Sequence, residues 1–418
     1  MSTKGLPPVI TCDREGVFQV KVKVRKGREW QPALLFVSDG VITAISRPEE
    51  EQQEKAGVPL YDFSSCYLMA GMVDCHLHFA LNARNLQEAI AGWSNLAENR
   101  RRVEDYLTAL AAMGIVVVRD GGDAAGIGLL AKEMAATAVS APRVFASGYA
   151  IYKRGRYGSF LGPGVASVEE ALQHVRELAG KVDQIKVIQS GLVSFKRFGE
   201  VGPPQFTLKE LQAIVDEAHN LGLKVMAHAS GAEAVDIAVR AGVDSIEHGY
   251  FVMPSTLELM AKKGTWWVPT LAPLANLLPD DRPLYEGASR EVIARTVADQ
   301  QAKIRLAREL GVPMAVGTDA GAVAVPHGFS YYHELKFLAE SGLEAEEIMA
   351  LACQGGRALL GMKPVEEWQP GQRLAGVIFA RDPFRDVPAV TDVRAVFLPG
   401  GEGGRKNGQA DRDFRGDF

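Results

Sequence analysis

The chain has 418 residues, and its 46 basic against 51 acidic side chains give a formal net charge of −5, with no sequence-wide basic field of the kind nucleic acid requires. Four widely spaced cysteines, Cys12, Cys66, Cys75 and Cys353, form no C-x-x-C pair, which argues against a disulfide framework or a thiolate zinc site and for reduced thiols. No run of eighteen residues is apolar throughout and the opening "MSTKGLPPVITCDREG" has no apolar core of signal-peptide length, so the expectation is a cytoplasmic protein with neither membrane nor nucleic-acid partners.

The first segment reads as short strands broken by turns, "VFQVKVKVRKG", "PALLFVSDG" and "VITAISRP". In "QVKVKV" the period of two presents one apolar and one basic, solvated face, which predicts a small antiparallel sheet. From residue 70 the rhythm changes to short apolar runs separated by amphipathic stretches of helical length, the pattern of strand-helix units around a parallel sheet. Eight such runs follow one another: "GMVDCHLHF" (71–79), "GIVVVRDGG" (114–122), "PRVFASG" (142–148), "QIKVIQSG" (184–191), "LKVMAHASG" (223–231), "VDSIEHG" (243–249), "TWWVPT" (265–270) and "VPMAVGTDAG" (312–321). Helical stretches between them, such as "TLKELQAIVDEAHNLG", end in a Gly where a helix cap belongs. Eight alternating units predict an α/β fold, a (β/α)8 TIM barrel over residues 67–362. After a last helix, "AEEIMALACQGGRALLG", residues 363–399 return to strands, so 1–66 and 363–399 are expected to build one composite β domain, a small β-sandwich, from both chain ends. Residues 400–418 are Gly-rich, charged and nearly free of aliphatics, and read as a mobile tail.

His76 and His78 close the first run. Residues i and i+2 of a strand share a face, so the two rings lie side by side, roughly 6 to 7 Å apart at their Cα atoms, and could grip one metal ion; an isolated His-x-His is as often a hydrogen-bonded core pair. In a barrel the chemistry sits where strand C-terminal ends open onto the following loops. Lys186 lies in the fourth run, His228 ends the fifth, His248 the sixth and Asp319 the eighth, so all six residues point toward one mouth. Four of the eight histidines stand at strand ends, which packing does not require, while His174 and His219 fall in helical stretches and read as structural or exposed. Imidazole nitrogen and carboxylate oxygen suit Zn²⁺ and similar ions, and a catalytic site keeps a position open for water. Lys186 is the odd member, because an ammonium repels a cation. Either its stem is buried with the charge paired to an acid, or the amine has reacted with CO2 to give a carbamate, which turns it into a bridging carboxylate.

Taken in order, "HLH" (76–78), "VVVRDGG" (116–122), "IKVIQSG" (185–191), "AHASG" (227–231), "SIEHG" (245–249), "GTDAG" (317–321) and "PHG" (326–328) resemble the amidohydrolase superfamily, and within it the imidazolonepropionase-like and prolidase-like members. The resemblance implies a metal-dependent hydrolase cleaving an amide or cyclic amide C–N bond in a small molecule or dipeptide, with an Xaa-Pro or N-acyl amino acid peptidase as the variant reading. It also implies two divalent ions, zinc first among them, and a carbamate on Lys186 made from CO2. By that likeness His76, His78, Lys186 and Asp319 hold one ion, Lys186, His228 and His248 hold the second, and Asp319 is the catalytic acid–base group. A mononuclear deaminase of the superfamily fits less well, because there a glutamate stands near the strand-five histidine, whereas His228 is followed by Ala229, Ser230 and Gly231. A metal-binding barrel scaffold without catalysis is the alternative of another class, and an assembly of identical chains stays open. Two segments depart from the common pattern: "SGYAIYKRGRYGSFLG" lacks a Gly-Gly-His-Gly turn, and "SGLVSF" replaces a Gly-richer stretch. Both fall in expected substrate loops.

Other candidates are weaker. "RDGGDAAGIG" lacks both G-x-G-x-x-G and the G-K-[ST] ending of a phosphate loop. On the loop after the third run, Arg154 and Arg156 with Lys153, Tyr152 and Tyr157 could bind a substrate carboxylate, a group that guanidinium pairs bidentately, or could form a solvated surface loop. Beyond the eighth run His327, Tyr331 and Tyr332 are substrate candidates, His327 first by the resemblance. Trp266 and Trp267 alternate faces and read as core.

Overall fold

The computed structural model describes residues 7–399 except 13–15, 48–53, 139 and 283; the expected tail at 400–418 lies outside the described residues. Strands from both chain ends pair in one seven-stranded sheet, in the order Val9–Thr11, Val393–Leu398, Gly376–Phe379, Leu60–Ala70, Val17–Lys26, Glu29–Ser38, Val41–Ser46. Phe18, Val20, Val22 and Val24 are buried while Lys21 is exposed, so the period of two does select the inward face. The sheet is mixed, however, not antiparallel throughout: Val9–Thr11 runs parallel to Val393–Leu398, and Val17–Lys26 parallel to Leu60–Ala70. Those pairings join segments remote in sequence, which a hairpin pattern does not encode. Leu60–Ala70 also crosses the boundary expected after residue 66 and leads directly into the first apolar run.

The first three runs pair in parallel as Met72–Leu77, Ile115–Asp120 and Arg143–Ala146. The fourth to seventh pair in parallel, in chain order, as Gln184–Ile188, Lys224–Ala229, Ser245–His248 and Trp266–Val268. Met72–Leu77, Ile115–Asp120, Gln184–Ile188 and Ser245–His248 are buried at every residue, as strands covered on both faces must be. The third run comes in two pieces. After Arg143–Ala146 the chain turns at Gly148 (φ +70°) and resumes as Ala150–Lys153, which pairs with Gln184–Ile188 and so links the two parallel sheets.

The eighth run forms no continuous strand. Residues 312–321 still bond on both flanks: Trp267 N donates to Pro313 O (2.8 Å) and Ala315 N to Trp267 O (3.1 Å), while Cys75 N donates to Val316 O (2.8 Å) and His78 N to Ala320 O (2.8 Å). The left-handed backbone of Asp319 (φ +56°) interrupts the extended geometry there. Helices alternate with the runs and carry the expected ends. Thr207 and Glu210 form a capping box on Leu208–Asn220, and Arg290–Leu310 stops at Gly311 with φ +72°.

Candidate metal centre

His76 and His78 project from the same side of the first strand, with ring centroids 5.4 Å apart. The His248 ring lies 5.0 Å from that of His76 and 4.6 Å from that of His228. Strand alternation would send His248 and its neighbour Glu247 to opposite faces. His248 instead adopts a left-handed backbone (φ +70°), as do Thr270 (+49°) and Asp319 (+56°), and strain of about 1–3 kcal/mol at each such residue collects around one mouth. Glu247 and His248 thereby both reach His76. His76, His78, Lys186, His228, His248 and Asp319 all line one cavity of about 760 Å³.

Each imidazole has one nitrogen tied back. His76 Nδ1–H donates to Glu247 Oε2 (2.7 Å) and His78 Nδ1–H to the Gly122 carbonyl (3.0 Å). His248 Nδ1 is hydrogen-bonded to Thr270 Oγ1 (2.7 Å), and His228 Nε2–H donates to the Gly191 carbonyl at a longer 3.4 Å. This leaves His76 Nε2, His78 Nε2 and His228 Nδ1 without a proton, the form in which imidazole ligates a metal, and His248 Nε2 joins them when the Thr270 hydroxyl accepts from Nδ1–H. Burial holds all four rings neutral: it pushes His78 and His228 down to about 3, and His76 and His248 well below the usual imidazole range. Asp319 Oδ1 sits 3.6 Å from both His76 Nε2 and His78 Nε2, so ligand atoms of these three residues gather within 4.8 Å of one another. The donor set therefore fits a divalent ion.

Lys186 is 1 % exposed, and among the described residues no carboxylate lies within ion-pair reach of its Nζ; the nearby polar atom is His76 Nε2 at 3.4 Å. The buried ammonium paired to an acid, one of the two readings of the sequence, is not what the fold builds. Burial pushes the Lys186 amine down to about 8, against the pull of the Glu247 and Asp319 carboxylates. Burial likewise lifts the Asp319 carboxyl to about 7, with Lys186 opposing.

Beneath this layer lie residues to which the sequence reading gave no role. Glu247, fully buried, also accepts from Arg119 Nη2 (2.8 Å) and Ser245 Oγ (2.6 Å), and Arg119 Nε donates to the Cys75 carbonyl (2.6 Å). Asp74 accepts from Thr318 Oγ1 (2.7 Å) and from the Thr318 and His76 amides, which ties the backbone before Asp319 to the first strand. Glu247 and Arg119 stand inside "SIEHG" and "VVVRDGG"; a charged residue in an otherwise apolar buried run was the available signal.

The substrate candidates divide. Tyr157 lines the cavity, its ring 5.5 Å from that of His228. Arg154 turns away to Glu170 (2.7 Å), Lys153 to Glu210 (3.0 Å), and Tyr152 is buried under Gly158 and Gly164. Arg156 is exposed and outside the cavity lining. His327 is also outside the lining: its Nε2–H donates to the His78 carbonyl (3.1 Å), and its ring stacks on Tyr106 at 3.8 Å. Asp123 accepts from the amides of Ala125, Ile127 and Gly128, so "RDGGDAAGIG" is a capped helix start whose amides are already engaged.

The chain belongs to the amidohydrolase family, whose model matches residues 67–399. It is 29% identical over 338 residues to an uncharacterized protein of Mycobacterium tuberculosis, a match covering 78% of this chain and 82% of that one. It is 25% identical over 404 residues to ochratoxinase of Aspergillus niger, covering 88% and 82% respectively. Among solved structures, a Xaa-Pro dipeptidase with bound methionine in the active site superposes with a TM-score of 0.80 at 24% identity, over 94% of this chain and 100% of that one. The superposition shows that this chain shares the fold of that structure, and its architecture is α/β.

Proposed function

We propose that the protein is a metal-dependent hydrolase of amide or cyclic amide C–N bonds in a small molecule or dipeptide, acting in the cytoplasm. The parallel runs are read as one (β/α)8 barrel, with the sheet of residues 1–66 and 363–399 as a composite domain beside it; the bonds that residues 312–321 make on both flanks support closure of the ring. Lys186 carries the functional reading. A fully buried amine beside His76, with no carboxylate within ion-pair reach among the described residues, is suited to becoming a carbamate. As a carbamate it would add carboxylate oxygens to the donors offered by His76, His78, His228 and His248.

Two ions held by these residues, zinc fitting the donor set, would supply acidified water and a polarised carbonyl. Asp319, 3.6 Å from both His76 and His78, takes the proton of the attacking water and returns it to the leaving nitrogen. Glu247 holds His76 in one tautomer, and Thr270 orients His248. The test is a hydrolysis screen of zinc- and bicarbonate-loaded protein on N-acyl amino acids, Xaa-Pro and other dipeptides, lactams and hydantoins. Cleavage in any class supports the reading. Protein shown to hold two ions that cleaves none of them is the scaffold instead.

A further inference from the structure

His327, first of the substrate candidates by resemblance, is 5% exposed and lies outside the cavity lining. Its slot is aromatic: the Tyr106 ring, on the helix Leu96–Ala112, lies nearly parallel at 3.8 Å, and the Phe79 ring lies at 5.9 Å and 20°. Nε2–H donates to the His78 carbonyl (3.1 Å), while the buried Nδ1 has no hydrogen-bond partner among the described residues. A phenylalanine would fill such a slot without leaving a buried nitrogen unpaired. What imidazole adds is a single bond, and the acceptor is the backbone of a residue of the metal centre.

That carbonyl stands where the first strand leaves the sheet. The strand is Met72–Leu77, and the Leu77 carbonyl still accepts from Gly121 N of the second run (2.8 Å); His78 comes one residue later. Its amide donates to Ala320 O of the eighth run (2.8 Å) and its ring to Gly122 O (3.0 Å), but its carbonyl is held only by the Leu81 amide of the following turn (3.2 Å) and by His327. Two glycines admit this arrangement. An ideal Cβ on Gly321 (φ +103°) would lie 2.6 Å from the His78 carbonyl oxygen, and one on Gly121 2.6 Å from His78 Cε1, so neither position accepts a side chain beside His78. Without the His327 bond the 78–79 peptide keeps one donor, and rotation about it turns the Cα–Cβ bond that brings His78 Nε2 to 3.6 Å from Asp319.

We propose that His327 is a positioning residue of the metal centre, fixing the His78 carbonyl and through it the direction in which the His78 imidazole is presented. This rests on the metal-dependent reading above, and its test reads metal binding in place of turnover. Zinc affinity is measured by competition with a fluorescent chelator for wild type, for His327→Phe, which keeps a ring in the aromatic slot without the donor, and for His327→Gln, whose amide nitrogen can reach the same carbonyl. Circular dichroism of the metal-free proteins checks the fold. His327→Phe should bind zinc ~10- to 100-fold more weakly, the usual cost of losing a group that orients a metal ligand, and His327→Gln should recover most of that loss. If the Phe variant does not fold, His327→Met, flexible and apolar, takes its place in the comparison with Gln. Wild-type affinity in the variant without a donor, or equal losses in that variant and in His327→Gln, makes His327 a packing residue and overturns the proposal while leaving the metal centre intact. Wild type that binds no zinc removes the metal-dependent reading and the proposal together.

Discussion

At the residue scale, the proposed centre would separate holding an ion from moving a proton, and two substitutions test the roles. Asp319→Asn keeps an oxygen near His76 and His78 but cannot accept a proton, so kcat should fall by ~10²- to 10⁴-fold with most of the metal retained, as read by parallel kinetics and elemental analysis. Wild-type turnover in that variant would remove Asp319 from the proton path. Lys186→Ala should lose one of two ions per chain together with activity, and short carboxylic acids in the buffer should restore part of both by filling the gap. Retention of both ions by the variant would make the lysine structural. His76, His78, Lys186, His228, His248 and Asp319 were legible as a group because strand periodicity and the run ends point them at one mouth. Glu247 was not, since alternation assigns it the face opposite His248. Only the left-handed backbone at His248 puts both inside, and single-sequence periodicity carries no information on φ.

At the element scale, the strained segments are braced from behind. The His248 carbonyl accepts from Trp267 Nε1 (3.0 Å) and Gln300 Nε2 (3.0 Å), and Gln300 also donates to the Pro269 carbonyl (2.6 Å). Glu334, on the helix Phe329–Glu340, accepts from the amides of Leu271 and Ala272 (2.8 Å each) and so fixes the turn that carries Thr270. Burial lifts the Glu334 carboxyl to about 8 in spite of those two donors. An acid whose folded pKa lies above its unfolded value binds its proton more tightly when folded. Its stabilising contribution is therefore complete below about 4.5 and is lost as pH rises toward 8. Relative to Glu334→Gln, wild type should lose up to about 1.4 kcal/mol of stability per pH unit across that window, measured as urea midpoints at several pH values. Parallel curves for the two proteins would refute the assignment. The two-piece third run is a miss at the same scale. The Ser-Gly after Ala146 reads as the end of a strand, whereas Gly148 only redirects the chain to its second neighbour.

At the scale of the whole molecule, ligands drawn from five separate chain segments would make the proposed metal ions a cross-link of the fold. Chelation should lower the thermal midpoint, and zinc with bicarbonate should restore it, the stabilisation being about 4 kcal/mol for each bound ion at a free zinc concentration a thousandfold above Kd. Calorimetry on protein of known metal content checks this, and an identical midpoint with and without ions would mean that the site is not assembled as described. The sequence by itself determined the alternation of strands and helices, the family, through the order of its motifs, and the six polar residues that line one cavity, because those depend on residue type at local spacing. The tertiary structure decided what spacing cannot reach. It chose parallel partners for strands from the two chain ends, interrupted the eighth run at Asp319, spent Arg154 and Lys153 on Glu170 and Glu210, and placed Arg84 and Lys196 at the mouth instead. Which charge finds a partner, and which is left facing a cavity, is settled by contacts between residues far apart in sequence, and only the closed fold brings those residues within reach.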